Sequence, residues 1–218
     1  MARIRIYTEA TAKNAFACAL DWPGWARAAK TEDLAIQALA DYAQRYEPIA
    51  AAAGVRWPVA LDFDLVEQRA GSGSTDFGVL DKPPKADSVK ITALAASRQA
   101  SLLQASWALF DDIVANAPAA LRNGPRGGGR DRDKILDHVV EAEASYARII
   151  GIRDDPKTSD LSPPAVARRR ARVIEVLSAP SDGSPVIEKG WPTRYALRRF
   201  TWHVLDHAWE IEDKSERA

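Results

Sequence analysis

Beyond residue 87 the chain is cut into four amphipathic segments, each long enough for a helix and each followed by a break rich in proline or glycine. The segments cover about residues 88–115, 131–150, 163–177 and 192–214, and breaks fall at 118–129, 151–164 and 180–190. Pro163 and Pro192 stand at or near helix starts, where the missing N–H has no partner to lose. Four such helices bury their apolar stripes by packing on one another, and the pattern predicts an up-down four-helix bundle. Leu94, Leu102, Leu109 and Ile113 are the core positions expected in the first helix.

The first 67 residues have a different rhythm. Arg3-Ile4-Arg5-Ile6-Tyr7-Thr8 alternates polar and apolar, the period of a half-buried strand. Asn14 to Leu20 is a second strand candidate, Trp22-Pro23-Gly24-Trp25 a turn, and Ala26 to Ala29 a third strand. Thr31-Glu32-Asp33 opens a helix, with Thr31 as cap and two acids complementing the N-terminal dipole. Leu34, Ala38, Tyr42 and Tyr46 mark one face of it, Gly54 follows its end, and Val59 to Val66 reads as another strand. Gly71-Ser72-Gly73-Ser74 and Lys82-Pro83-Pro84-Lys85 are loop chemistry. The expected fold class is α+β: a small mixed α/β domain over 1–67, a linker over 68–87, and the bundle over 88–218. The unit from about 88 to 214 is expected to fold by itself.

A formal net charge of zero over 218 residues argues against nucleic acid or an anionic membrane as partner. The single cysteine, Cys18, excludes an internal disulfide and is expected to pack as a small apolar residue. The N-terminus carries no long apolar stretch of the signal-peptide kind, and the chain has no apolar run long enough to span a bilayer. The chain reads as soluble and cytoplasmic. Arg126-Gly127-Gly128-Gly129-Arg130 leads into a helix N-terminus that can hold an anion, but it lacks the Lys-Ser/Thr of a P-loop and reads first as a solvated loop. Arg168, Arg169, Arg170 and Arg172 read as a solvated helix face.

Only three histidines are present, and each falls on a helical segment. His203 and His207 are spaced i, i+4, which places two imidazoles roughly 40° apart on one helical face. His138 lies on the second helix among core-facing residues that include Ile135, Ala142 and Tyr146. Three protein ligands with a position left open is the pattern of a catalytic zinc site, and facing helices of a bundle build such sites. Asp137, Glu141, Asp206 and Glu210 are candidates to fix an imidazole tautomer. Glu210, about 20° from His203 on the wheel, could also be a fourth ligand or a general base. Trp202 and Trp209 flank the histidines and could wall a pocket. His203-Val204-Leu205-Asp206-His207 approaches the inverted zincin motif, but Asp206 stands where that motif has glutamate. Only 11 residues follow His207, too few for a distant third ligand.

On these residues the C-terminal part resembles the DinB/YfiT superfamily of four-helix metal proteins, whose signature is a histidine on the second helix and His-x-x-x-His on the last. His138, His203 and His207 match in order and helix position over about residues 88–214. The resemblance implies a bound divalent metal, Zn²⁺ or Ni²⁺, with open coordination positions. It also implies a thiol-dependent transferase or isomerase that uses the metal to activate a low-molecular-weight thiol such as mycothiol or bacillithiol, or water, with a small-molecule substrate. The alternative is a non-catalytic metal-binding stress or regulatory module whose N-terminal domain recruits a partner. A homodimer stays open. The N-terminal half is similar to a HicB-like β-β-β-α-β domain, through the Trp22-Pro23-Gly24-Trp25 turn and the Thr31-Glu32-Asp33-Leu34-Ala35 helix start.

Overall fold

The alternating segment at the N-terminus becomes strand β1 (Ile4–Ala10), followed by β2 (Ala15–Ala19) and β3 (Ala26–Ala29). This computed structural model describes residues 3–58, 60–80, 83–123, 129–153 and 161–215. Thr31 caps helix α1 (Glu32–Asp41) by accepting from the Leu34 N–H. The single helix expected up to Gly54 is divided at Tyr42, where the backbone leaves helical geometry and α2 (Ala43–Ala52) begins. Gly54, at φ +66°, ends α2 in the left-handed conformation, with Val55 N–H returning to Ala50 O at 2.8 Å.

Strand β4 (Phe63–Ala70) then pairs in parallel with β1, giving the order β3-β2-β1-β4. It ends four residues later than expected, and Val59, where the expected strand begins, lies outside the described residues. Its second half, Glu67-Gln68-Arg69, is polar because β4 is an edge strand with one side paired, so its sequence resembles a loop. The stretch expected to be a linker therefore supplies three strand residues. It also holds the short helix α3 (Gly73–Asp76), capped by Ser72, and a 3₁₀ turn at Lys85–Ser88.

The four expected helices are present: α4 (Ala93–Asn116), α5 (Arg132–Ile149), α6 (Pro163–Leu177) and α7 (Thr193–Ser215). They pack against one another. α4 starts later than predicted because Ile91 forms an antiparallel bridge with Ser181, which keeps the chain extended until Thr92 caps the helix. Its buried stripe is Ala96, Gln99, Ala100, Leu103, Ser106, Trp107, Phe110 and Ile113, with Leu102 beside it. Leu94 is 84% exposed and Leu109 only partly buried, which corrects the expected core: both lie off the i, i+3/i+4 stripe that these residues define. Among the described residues the fold is mixed α+β, a four-stranded sheet with seven α-helices. No helix among them is long and apolar enough to cross a membrane.

The two halves share one core. A single cluster of buried apolar side chains runs from Ile4, Ile6, Trp25 and Tyr46 to Leu102, Phe110, Val139, Phe200 and Trp209. A second cluster joins the other sheet face (Tyr7, Phe16, Cys18, Leu20) to Leu80 and to Trp202 of α7. Residues 88–214 thus share buried contacts with the N-terminal half. α7 is buried on nearly all sides, packing on α4, α5 and α6 and, through Trp202, Trp209 and Glu212, on Phe16, Tyr42 and Arg45 of the N-terminal half. Gly24, at φ +86°, lies so close that a Cβ there would meet Thr201 Cγ2 at 2.7 Å and Leu205 Cδ1 at 2.8 Å. Polar ties follow the same seam. Arg198 is paired with Asp87, both buried, and Arg45 bonds Glu212 and Asp213 at 2.8 Å each.

Candidate metal centre

α5 and α7 bring the three histidines together. One nitrogen from each ring lies within 4.8 Å of the other two. Nε2 of His138 and Nε2 of His203 are 3.3 Å apart. Two nitrogens bound at 2.0–2.1 Å to one tetrahedral ion stand roughly 3.3–3.4 Å apart, so this pair already has the spacing of two ligands on a shared ion. The His207 ring stands nearly perpendicular to both others, with centroids 4.9 Å and 4.7 Å away. Tyr146 of α5 closes one side, its ring edge-on to His203 at 5.5 Å and to Phe200 at 5.5 Å. The three histidines are close enough to hold one metal ion.

Two of the three imidazoles are held in their neutral form. Burial, reinforced by His207, His138 and the cations Arg199 and Arg130, holds the His203 imidazole down to about 2. Burial, His207 and Arg130 also lower His138. Both rings are therefore neutral near pH 7, with lone pairs free for coordination. His207 Nδ1 meets Glu210 Oε2 at 2.7 Å, which leaves Nε2 as its free nitrogen. The bond from His207, with another from Lys214, holds the Glu210 carboxyl down to about 2 against partial burial.

Of the four expected carboxylate partners only Glu210 reaches a ring nitrogen. Asp137 and Glu141 point to solvent, and Asp206 faces Arg27 at 3.5 Å. Glu210 stands here as the hydrogen-bond partner of His207, the first of its three expected roles. The tryptophans are also placed differently from the expected pocket wall. Trp202 is buried edge-on to Phe16, and Trp209 is buried against Tyr42 at 5.2 Å. Both indoles belong to the seam with the N-terminal half, although Trp202 keeps a ring contact with His203 at 6.1 Å.

Arg126, Gly127 and Gly128 of the expected anion loop lie outside the described residues. The basic run on α6 is only partly a solvated face. Arg169 is buried, Arg170 binds Glu143 and Asp111, and Arg172 donates to Arg153 O at 3.1 Å. Burial pushes the Cys18 thiol up to about 12, so the chain's own thiol is not a nucleophile near neutral pH. Sequence reasoning missed Lys214, whose i+4 spacing from Glu210 was the available signal. It also missed the Asp87–Arg198 pair, which sequence distance conceals. Compared with protein-family models, with curated proteins and with solved structures, the chain matches none.

Proposed function

We propose that the chain is a cytoplasmic, metal-dependent protein of DinB-like up-down bundle architecture, with His138, His203 and His207 as ligands for one Zn²⁺ or Ni²⁺ ion. The observation that carries this reading is the 3.3 Å approach of two Nε2 atoms within a cluster of three imidazoles. The mutual packing of α4 to α7 and the order of the histidines along them support the architecture. A bound divalent ion supplies Lewis-acid activation, lowering the pKa of a coordinated low-molecular-weight thiol or water. The chain contributes the neutral imidazoles of His138 and His203, together with His207 and the Glu210 carboxylate that orients it. Tyr146 beside His203 shields one flank from water. Because Cys18 is inert, a thiol used here comes from outside the chain, in a transferase or isomerase reaction on a small molecule.

The test is metal analysis of full-length protein purified without a polyhistidine tag, followed by titration with Zn²⁺ and with Ni²⁺. About one ion per chain is expected, lost in His138→Ala and His203→Ala. No uptake of either ion overturns the reading. Metal-dependent turnover of a thiol adduct then separates an enzyme from a non-catalytic metal-binding module.

A further inference from the structure

Glu210 lies on the histidine stripe of α7, three residues after His207 and seven after His203. From that stripe a carboxylate can turn onto an ion that the imidazoles hold, and the centre would then close with four protein ligands, as structural zinc sites do. Both oxygens are instead engaged elsewhere. Oε2 is held by His207 Nδ1 at 2.7 Å and Oε1 by Lys214 Nζ, with all three side chains less than one-third exposed. The end of α7 that carries Lys214 is itself tied down. Arg122 N–H donates to Lys214 O at 3.2 Å, and Arg122 Nη2 donates to Asp213 O at 2.8 Å. Among the described residues His203 has no equivalent device, since its Nδ1 is buried without an acceptor. Of the pair on α7, His207 is therefore the one whose ring is oriented by a carboxylate.

We propose that the chain Lys214–Glu210–His207 is a positioning relay that fixes His207 with Nε2 toward the metal and keeps Glu210 out of the coordination sphere, so that one position stays open for an exogenous anion such as a thiolate. The proposal rests on the metal-centre reading above. Glu210 orients a ligand, and Lys214 acts through Glu210 by holding the oxygen that would otherwise be free to coordinate. An ordinary i, i+4 surface pair has no such consequence: its removal leaves the metal and its open position untouched.

The test uses full-length protein loaded with Co²⁺, its visible absorption titrated with azide, and its Co²⁺ affinity measured by chelator competition. In the unmodified chain azide is expected to shift the cobalt bands. Glu210→Ala is expected to bind Co²⁺ about 10–100-fold more weakly while keeping the azide response. Lys214→Met is expected to lose the azide response at least tenfold as the freed carboxylate takes the open position. Lys214→Arg should restore it, and the double variant Lys214→Met/Glu210→Ala should regain it. A Lys214→Met protein that binds azide like the unmodified chain overturns the lock, and unchanged affinity in Glu210→Ala overturns the positioning role. An unmodified chain that takes up Co²⁺ but shows no azide shift has a closed centre, which also overturns the proposal. Failure of the unmodified chain to take up Co²⁺ at all is a different result and removes the metal centre itself.

Discussion

His203 shows how much a single buried side chain sets the behaviour of this protein. Its imidazole is held down to about 2 in the fold, chiefly by burial, so the folded chain stays unprotonated there while the unfolded chain takes up a proton near pH 6.5. Below that value the unfolded state binds more protons than the folded one, and stability falls as pH falls. The slope from this one group is about 1.4 kcal/mol per pH unit, over a window running from about pH 6.5 downward. Urea denaturation of metal-free protein at pH 7.0 and pH 5.5 checks it. The midpoint is expected to drop on acidification, and His203→Gln is expected to flatten the drop. An equal drop in the variant would assign the effect to other groups. The three ligand candidates were legible from spacing alone, because a helix converts i, i+4 into a shared face. The fate of the neighbouring carboxylates was not. The helical wheel singles out Glu210 among Asp137, Glu141, Asp206 and Glu210, but only side-chain direction shows that it alone of the four meets a ring nitrogen.

At the scale of elements, caps and breakers marked the helices well. Thr31 and the prolines at 163 and 192 lie within a few residues of the starts of their helices. The readings that failed concern pairing. β4 was misplaced because its register is set by β1, seen in the hydrogen bond from Ile4 N–H to Asp62 O, and by nothing in its own polar second half. Gly24 combines both lessons. The Trp-Pro-Gly-Trp turn was readable, but the close approach of α7 to that glycine was not. Gly24→Ala imposes a left-handed conformation on a residue with a Cβ and drives that carbon into Thr201 and Leu205. The combined penalty is expected to be at least ~2 kcal/mol, from about 1–2 for the backbone and a similar amount for overpacking. Thermal unfolding checks it, and a melting temperature within a degree of the parent would show that the turn moves freely away from the helix.

For the whole molecule, periodicity separated an α/β half from a helical half but gave no hint that they are welded. A stripe-by-stripe reading treats each helix as having one apolar face, and α7 has apolar residues nearly all round. A fragment beginning at residue 88 would expose Trp202, Leu205 and Trp209, all buried in the full chain. It is expected to be helical by far-ultraviolet circular dichroism but to bind a hydrophobic dye and melt without cooperativity. A sharply melting, dye-free fragment would show instead that the seam with the sheet is dispensable. Loss of Arg198 tests the same seam from within. Burial opposes its charge and Asp87 more than offsets this, so the guanidinium is held protonated. Arg198→Ala leaves Asp87 buried and unpaired, and a loss of about 3–5 kcal/mol in urea denaturation is expected.

The enclosure of α7 also bears on how descendants of this sequence can change. A surface helix drifts along its polar stripe with little effect on fitness. α7 has scarcely any such stripe: Arg198 is committed to Asp87, the Thr201 hydroxyl to Leu197 O, and His203 to the imidazole cluster. Its C-terminal turn is held by the Lys214–Glu210–His207 chain, so substitution is confined to a few positions at the rim, such as Asp206. Related chains, once compared, are expected to keep residues 193–211 longest and to change first in the edge strand and the loops.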